Sequence, residues 1–272
     1  MSADTPFRDI STAAVTAPAP PRRPARNAPH RPASDEHPLL AAHGGLLTVE
    51  QLGTVAYRPT WGLQDELADQ RRGRRIGDRL LLLEHLPVYT IGRGGDAANM
   101  LATPERLREI GAELIRIDRG GDITFHGPGQ LVAYPIVELH DPLDLRRYVR
   151  ILEAAIIDTA AAFGVEAARL EGHPGIWVSG ERKLAAIGVR VKRGVTTHGL
   201  ALNVNTALRW FDEMIPCGIP GKGVTSLTRE IGTAVRMEAV AGELARHLAA
   251  QFGLRITDGA PGVIGPAGGR EQ

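Results

Sequence analysis

A single cysteine is the strongest candidate nucleophile in this sequence. Cys217 stands between Pro216 and Gly218, and Gly221 and Gly223 follow. A lone cysteine is often a small buried hydrophobe, whereas flanking proline and glycine residues favour an accessible loop. A thiolate nucleophile needs a base or a cation beside it. We therefore predict a loop at Cys217, with its base among the lysine and histidine side chains of the core.

Lysine is scarce in this chain and gathers around that cysteine. Of the 32 basic residues, only Lys183, Lys192 and Lys222 are lysines. A desolvated lysine can give up its proton, whereas arginine stays protonated. Lys183 begins a nearly apolar run, which favours burial and a role as a base. A lysine at a strand edge is usually solvated and protects the edge from pairing with another strand. A buried base and a solvated edge residue therefore both stay open as interpretations of Lys183.

The densest cluster of glycine and polar residues is the segment 118–130, which reads DRGGDITFHGPGQ. Paired glycines let backbone N–H groups approach a ligand closely, and Arg119 adds a fixed positive charge. This composition favours the binding of a phosphate, a carboxylate or an acyl carbonyl. Two tight turns between strands are the alternative. The segment is not a nucleotide phosphate loop, because no Gly-Lys-Ser/Thr follows, and it is not the dinucleotide fingerprint.

Histidine supplies further candidate bases. His85, His126, His173 and His198 lie in the central part of the chain. His198 belongs to a strand-like run with one polar face, where a structural hydrogen bond is the alternative to a catalytic role. The histidines lack the spacing of a zinc site, and one cysteine is too few for a structural zinc cage. We therefore expect no metal site.

The overall composition excludes several classes of protein. The chain has 272 residues, 43% hydrophobic and 23% charged, which is typical of a folded domain and not of a fibrous or wholly disordered chain. A net charge of +1 does not favour nucleic-acid binding. The sequence contains no apolar stretch of about 18 residues that would span a membrane. A lone cysteine fits a reducing compartment, and we expect a cytoplasmic protein.

The sequence divides into three segments. Residues 1–44 hold eight of the 19 prolines and one aromatic residue, a composition that predicts a disordered tail. Residues 258–272 are rich in glycine and proline and predict a second flexible end. Between them, residues 45–257 have the length of a single domain.

Apolar periodicity predicts the elements of that domain. Helical spacing is clearest at 143–163 and 237–252, and a further amphipathic helix begins near Pro59. Strand-like runs occur in clusters that do not alternate strictly with helices. This order predicts an α+β fold, a mixed, largely antiparallel sheet with flanking helices. The strand-like runs are 46–52, 80–83, 88–91, 113–117, 130–137, 176–178, 184–191 and 196–204.

Four motifs, in this order and spacing, resemble the octanoyltransferases of lipoate assembly, the lipoyl(octanoyl) transferase family. They are RGGDITFHGPGQ at 119–130, KLAAIGVRV at 183–191, THGLALNVN at 197–205 and PCGI at 216–219. The resemblance extends over about residues 55–227. It implies a fold shared with the catalytic domains of lipoate and biotin ligases.

The resemblance also implies an activity and a set of site residues. The activity would move an octanoyl group from an acyl carrier protein to a lysine on the lipoyl domains of 2-oxoacid dehydrogenases and on the H protein of glycine cleavage, with no cofactor. Cys217 would be the nucleophile, and Lys183 would assist its deprotonation. The implied substrate-binding residues are Arg119, Gly120, Gly121, Asp122, Ile123, Thr124, Phe125, His126, Ala186, Ile187, Gly188, Gly199, Leu200 and Ala201.

Two other functions stay open at this point. An ATP-dependent lipoate or biotin ligase would need a nucleotide site and no cysteine nucleophile. A non-catalytic module would only hold an acyl or carrier group in the glycine-rich cleft. Two arginine clusters are candidate docking surfaces for an acidic carrier, with a solvated helix face as the alternative: Arg71, Arg72, Arg74, Arg75 and Arg79, and Arg146, Arg147 and Arg150.

Overall fold

The computed structural model describes residues 39–40, 45–141, 144–215 and 222–259. Two sheets and five helices account for most of these residues. The strands are β1 (Leu46–Val55), β2 (Asp78–His85), β3 (Val88–Ile91), β4 (Glu113–Arg116), β5 (Ile123–His126), β6 (Gln130–Ile136), β7 (Ala168–Leu170), β8 (His173–Val178), β9 (Arg182–Lys192), β10 (Val195–Asn203), β11 (Gly223–Val224) and β12 (Arg255–Asp258).

The helices begin and end where the sequence provides the signals. They are α1 (Tyr57–Arg72), α2 (Pro104–Glu109), α3 (Leu145–Ala162), α4 (Leu227–Ile231) and α5 (Met237–Phe252). Thr103 caps α2 by accepting a hydrogen bond from the Arg106 N–H. Gly253 ends α5 in the left-handed conformation, with φ 68°.

The larger sheet forms the centre of the molecule. Within the described residues its strand order is β12-β1-β2-β6-β10-β9-β8-β7, and β11 pairs with β9. Strands β2, β6, β10, β9, β8 and β7 run antiparallel in succession, whereas β12 and β2 flank β1 in parallel. The predicted α+β class with a mixed, largely antiparallel sheet is confirmed.

Both faces of this sheet are covered, which explains the continuous apolar run in β2. Leu80 and Leu82 face a core that includes residues of α3 and α5. Leu81 and Leu83 face the opposite way and pack near Leu63 and Leu67 of α1. Successive side chains of a strand alternate between the faces, so a strand that is buried on both sides is apolar at every position.

A second, smaller sheet has the order β4-β3-β5. Its core contains Tyr89, Ile123 and Phe125, which pack with Phe211 and Met214 from the segment before Cys217. The glycine-rich segment after Arg119 thus leads directly into a strand of this sheet. No helix of the described residues is both long and apolar enough to cross a membrane.

The predicted end segments need correction at their inner boundaries. Leu39 and Leu40 were assigned to the tail 1–44, but they are 5% and 6% exposed and belong to the main core. The Leu39 carbonyl accepts a hydrogen bond from the His140 N–H at 2.8 Å. Asp258 was assigned to the flexible end 258–272, but it is the last residue of β12 and pairs with Val49. The remainder of both predicted tails lies outside the described residues.

The burial of these two leucines predicts a stability difference between two truncated chains. A chain that starts at residue 45 loses the apolar burial of Leu39 and Leu40. At about 1.5–3 kcal/mol for each buried leucine, its free energy of unfolding should fall by roughly 3–6 kcal/mol, which lowers the melting temperature by about 10 °C. A chain that starts at Pro38 is the matched control and should melt like the full chain. Equal melting temperatures for the two truncations would contradict the assigned packing.

Candidate active site

Two of the predicted binding segments lie on neighbouring strands. β9 and β10 pair so that Ala186 is opposite Ala201, Ile187 opposite Leu200, and Gly188 opposite Gly199. The sequence separates these segments by a dozen residues, and the antiparallel register brings them together. The glycine pair leaves the sheet without side chains at this point, so other groups can approach its surface closely.

The segment 119–121 makes this close approach. The Gly120 N–H donates to the Val189 carbonyl at 2.9 Å, which fixes the segment on β9. A Cβ atom at Gly188 would lie 2.7 Å from Cδ of Arg119 and 3.0 Å from the Gly120 carbonyl oxygen. Gly188 is therefore required for steric reasons, because a side chain there would displace the arginine or its loop.

Arg119 is itself buried, with 6% of its surface exposed. One guanidinium nitrogen, Nη2, donates to both the carbonyl and the hydroxyl oxygen of Thr90, at 2.7 and 2.9 Å. The other, Nη1, donates to the Gly120 carbonyl at 3.0 Å. These bonds join the glycine-rich segment to β3 of the smaller sheet.

A cavity of about 430 Å³ opens beside this arginine. We call it the outer cavity. Lys183 lies on its wall, is 7% exposed, and places Nζ 4.9 Å from the centre of the Trp177 ring. Because Lys183 is buried, it is not the solvated residue at a strand edge that was the alternative interpretation. The cavity is lined by Gly94, Arg119, Gly121, Asp122, Ile123, Thr124, Gly172, His173, Pro174, Lys183 and Ile187.

Cys217 lies outside the described residues, but both flanks of its segment are anchored at the outer cavity. On one side, the Ile215 N–H donates to the Asn99 carbonyl at 2.8 Å. The Asn99 side chain donates to Oδ2 of Asp122, a cavity residue, at 2.6 Å. On the other side, Val224 of β11 pairs with Lys183 of β9.

A second cavity, which we call the inner cavity, shares Arg119 with the outer one. Its volume is only about 20 Å³, which is room for about one water molecule. Ala186, Gly188, Gly199 and Ala201 form its sheet side. The other lining residues are Tyr57, Arg119, His126, Tyr134, His198 and Leu200.

Histidines around the inner cavity have fixed proton positions. Nδ1 of His126 lies 2.8 Å from Oε1 of Gln130, whose amide nitrogen donates to the Phe125 carbonyl and to Asn203. Because Gln130 offers its oxygen, His126 must donate from Nδ1. His85 likewise donates from Nδ1 to the Val55 carbonyl at 3.1 Å, and its Nε2 accepts from the Tyr134 hydroxyl at 2.7 Å.

His198 is the third of these histidines and has an unusual backbone. Its Nε2 donates to Asp118 at 2.9 Å, and Nδ1 accepts from the Tyr57 hydroxyl at 3.5 Å. Its φ is +57°, in the left-handed region that a non-glycine residue seldom adopts. The Gln64 side chain accepts from its backbone N–H at 2.7 Å, which satisfies the donor that this bend removes from the β ladder.

The environment keeps these imidazoles neutral. Burial lowers the pKa of His85 to about 4, and burial lowers the pKa of His126 well below its ordinary value. Burial also lowers the pKa of His198, although Asp118 opposes this effect. The hydrogen bond from His198 and the charge of Arg190 lower the pKa of Asp118, against the opposing effect of its own partial burial. The imidazoles therefore act as neutral donors and acceptors of hydrogen bonds.

Most of the predicted binding residues line one of the two cavities. The exceptions are Gly120, which contributes only backbone bonds, and Phe125. Phe125 is fully buried and stacks on Trp210, with the ring centres 5.0 Å apart. Sequence reasoning missed Tyr57 and Tyr134 as cavity residues. The hydroxyl of Tyr134 within the apolar run 131–137 was an available signal, whereas the sequence around Tyr57 offers none.

The first predicted docking cluster, which runs from Arg71 to Arg79, is wrong at Arg71. Arg71 is fully buried, donating to Asp78 at 2.7 Å and to Glu138 at 2.6 Å. It holds α1 against the sheet and is inaccessible to a partner.

A larger groove of about 530 Å³ runs beside β7 and β8, and none of the predicted site residues lines it. Within the described ranges, no cluster of three His, Cys, Asp or Glu residues could hold a metal ion.

Comparison with known proteins identifies the family to which this arrangement belongs. The model of the lipoyl protein ligase A/B catalytic domain matches residues 56–249. An octanoyltransferase of Corynebacterium efficiens is 44% identical over 236 residues, which cover 85% of this chain and 91% of that protein. One from Rubrobacter xylanophilus is 50% identical over 194 residues, with coverages of 71% and 87%. The chain belongs to the lipoyl protein ligase A/B catalytic-domain family and, within it, to the octanoyltransferases, a group of acyltransferases.

Solved structures show the same fold at low sequence identity. A putative lipoate protein ligase of Thermoplasma acidophilum with bound lipoic acid has a TM-score of 0.62 at 17% identity, covering 80% of this chain and 90% of that one. A lipoate-protein ligase A bound with ATP also has a TM-score of 0.62, at 18% identity, with coverages of 78% and 89%. The predicted fold relationship to lipoate ligases is confirmed.

The buried neutral histidines predict a stability that falls in mild acid. Because the pKa of His85 is about 4 in the folded chain, the unfolded chain binds a proton that the folded chain excludes. This contribution is complete above pH 6.5 and is lost towards pH 4, with a slope of about 1.4 kcal/mol per pH unit for each such group. Denaturant unfolding at several pH values between 4.5 and 7.5 measures the slope.

Single variants separate His85 from the other groups. His85→Asn keeps a donor near the position of Nδ1 but does not titrate, so the slope should decrease by the contribution of one group. The parent chain, unfolded at the same pH values, is the reference for this comparison. An unchanged slope in a folded His85→Asn protein would contradict the assignment.

Proposed function

We propose that this chain transfers an octanoyl group from an acyl carrier protein to a lysine of lipoyl domains, through a thioester on Cys217. The observation that supports this proposal best is the position of Lys183. This buried amine lies on the wall of the outer cavity, and the strand that follows the Cys217 segment pairs beside it. The relatives named octanoyltransferase support the acyl group.

The proposed reaction has two halves. Lys183 takes the proton of Cys217, and the thiolate attacks the carbonyl carbon of the carrier thioester. Backbone N–H groups of the glycine-rich segments stabilise the oxyanion. The carbon–sulfur bond to the carrier then breaks, and the carrier thiol leaves with the proton from Lys183. In the second half, a lysine amine of the acceptor attacks the carbonyl carbon of the Cys217 thioester, and Lys183 accepts the proton that this amine loses. The carbon–sulfur bond to Cys217 then breaks, which leaves the acyl group as an amide on the acceptor and returns Cys217 as a thiolate beside protonated Lys183.

The contacts that hold the two ends of the Cys217 segment support this chemistry, because they restrict the distance between Cys217 and Lys183. A nucleophile and its base must be held at a fixed separation for attack to be efficient. The bonds through Asn99 and Asp122 on one side and the pairing of Val224 on the other tie the ends of the segment to the walls that carry Lys183. The acceptors that we propose are the lipoyl domains of 2-oxoacid dehydrogenases and the H protein of glycine cleavage.

An ATP-dependent ligase is the second candidate, because lipoate ligases share the fold. The two functions differ in their donors. A ligase activates a free acid with ATP, whereas the proposed transferase receives an acyl group that is already activated. Acyl transfer from octanoyl carrier protein in the absence of ATP favours the transferase and also excludes a module that only binds.

The covalent step predicts a mass change. Incubation with octanoyl carrier protein should add one octanoyl group to the intact chain, and hydroxylamine should remove it, because it cleaves thioesters. Cys217→Ala and Cys217→Ser should remain unmodified. An adduct that maps to a lysine, or full transfer activity in Cys217→Ala, would exclude the cysteine mechanism.

The proposed role of Lys183 predicts that a positive charge at this position is not enough to preserve turnover. Lys183→Arg should lose about 10²- to 10⁴-fold in kcat, nearly as much as Lys183→Ala, because arginine does not exchange its proton. Lys192→Arg is the matched control at the exposed end of β9 and should keep the kcat of the parent. Wild-type turnover in Lys183→Arg would assign Lys183 a structural role instead.

A further inference from the structure

Arg119 separates two cavities that differ greatly in size. Among the described residues, it alone lines both the outer cavity of about 430 Å³ and the inner cavity of about 20 Å³. The outer cavity contains Lys183, at which the proposed acyl transfer takes place. Strand β9 contributes to both cavities, with Lys183 and Ile187 at the outer one and Ala186 and Gly188 at the inner one, whereas β10 lines only the inner cavity.

The side chain of Arg119 is held as a fixed wall. Its guanidinium donates to the Thr90 carbonyl and hydroxyl and to the Gly120 carbonyl, which are all groups of the protein. Its Cδ rests against Gly188, where a Cβ atom would come within 2.7 Å. An acyl chain offers no acceptor to a guanidinium along its length, so the arginine meets it as a steric obstacle and not as a charge.

The position of the Arg119 side chain suits a limit on the length of the bound acyl chain. Gly188 follows Lys183 by five positions on β9, which corresponds to about 16 Å along an extended strand. Lys183 and Arg119 both line the outer cavity, within this span. A medium-length acyl chain bound with its carbonyl at Lys183 therefore ends near Arg119.

We propose that Arg119 determines the acyl-chain length that the site accepts, by closing the outer cavity against the inner one. This inference rests on the proposed acyl transfer and extends it to substrate selection. Without the Arg119 side chain the two cavities join. The added space is bordered by Ala186, Leu200 and Ala201. The polar groups around it that have partners within the protein are Nδ1 of His126, Nε2 of His198, and the Tyr57 and Tyr134 hydroxyls. Such a space admits additional methylene groups.

The experiment compares acyl carriers of increasing chain length. Wild-type chain, Arg119→Ala and Arg119→Met are each incubated with octanoyl, decanoyl, dodecanoyl and tetradecanoyl carrier protein, and the rate of thioester formation is followed by intact mass. Burial contributes about fourfold per methylene, so the dodecanoyl-to-octanoyl rate ratio should rise by about tenfold or more in Arg119→Ala. Arg119→Met keeps most of the side-chain volume and should change the ratio far less. Arg116→Ala, an exposed arginine of β4, should leave it unchanged.

A second variant tests the direction of the effect. Adding Ala186→Leu to Arg119→Ala fills the inner cavity and should return the ratio towards that of the wild type. Thr90→Val removes only the hydroxyl acceptor of the Arg119 guanidinium, and it should raise the ratio by about two- to fivefold. This milder change provides the test if Arg119→Ala does not fold.

The outcomes are distinguishable. An unchanged ratio in folded Arg119→Ala, or in Thr90→Val if the alanine variant does not fold, would overturn the role of Arg119 while leaving the proposed function intact. An equal rise in Arg119→Ala and Arg119→Met would assign the effect to the charge and overturn the steric role. If the wild-type chain forms no thioester with any carrier, the proposed function itself fails.

Discussion

The contact of the 119–121 segment with β9 is the constraint on which the site depends. It combines a backbone hydrogen bond from Gly120 to Val189 with the absence of a side chain at Gly188. The guanidinium of Arg119 then extends the same contact to Thr90 of the smaller sheet. The two sheets are thereby held at one separation. Because a protein interior is close-packed, a shift at this contact changes both cavities together.

Much of the fold could be predicted because its signals are local. The apolar spacing of residues 143–163 predicts the helix observed at Leu145–Ala162, and the uninterrupted leucines of β2 predict a strand buried on both faces. The smaller sheet escaped prediction as a separate unit. Its strands β3, β4 and β5 have four residues each, which is too short for alternation to show which strands pair. Arg71 was misjudged for a similar reason, since its partner Glu138 is distant in sequence.

The sequence motifs predicted the strands of the candidate site, but not the residues that complete the site from distant parts of the chain. The motifs identified both strands of the inner cavity, because glycine and alanine at those positions reflect a local steric need. The contacts of Tyr57 with His198 and of Tyr134 with His85 join residues far apart in the chain. The left-handed backbone of His198 follows from its neighbours: Pro135 on β6 has no N–H to offer, and Thr196 donates its hydroxyl to the Pro135 carbonyl at 2.7 Å. Neither effect leaves a mark in the sequence of β10 alone.

The three histidines around the inner cavity have fixed tautomers, so each neutral ring presents a donor in one fixed direction. His85 and His126 carry their protons on Nδ1, and His198 carries its proton on Nε2, each directed at a protein oxygen. None of these protons is directed at solvent, so their exchange with bulk water requires the surrounding structure to open. In a nuclear magnetic resonance spectrum such imidazole protons give persistent downfield signals. Their lifetimes thus report, proton by proton, how often the structure around the inner cavity opens.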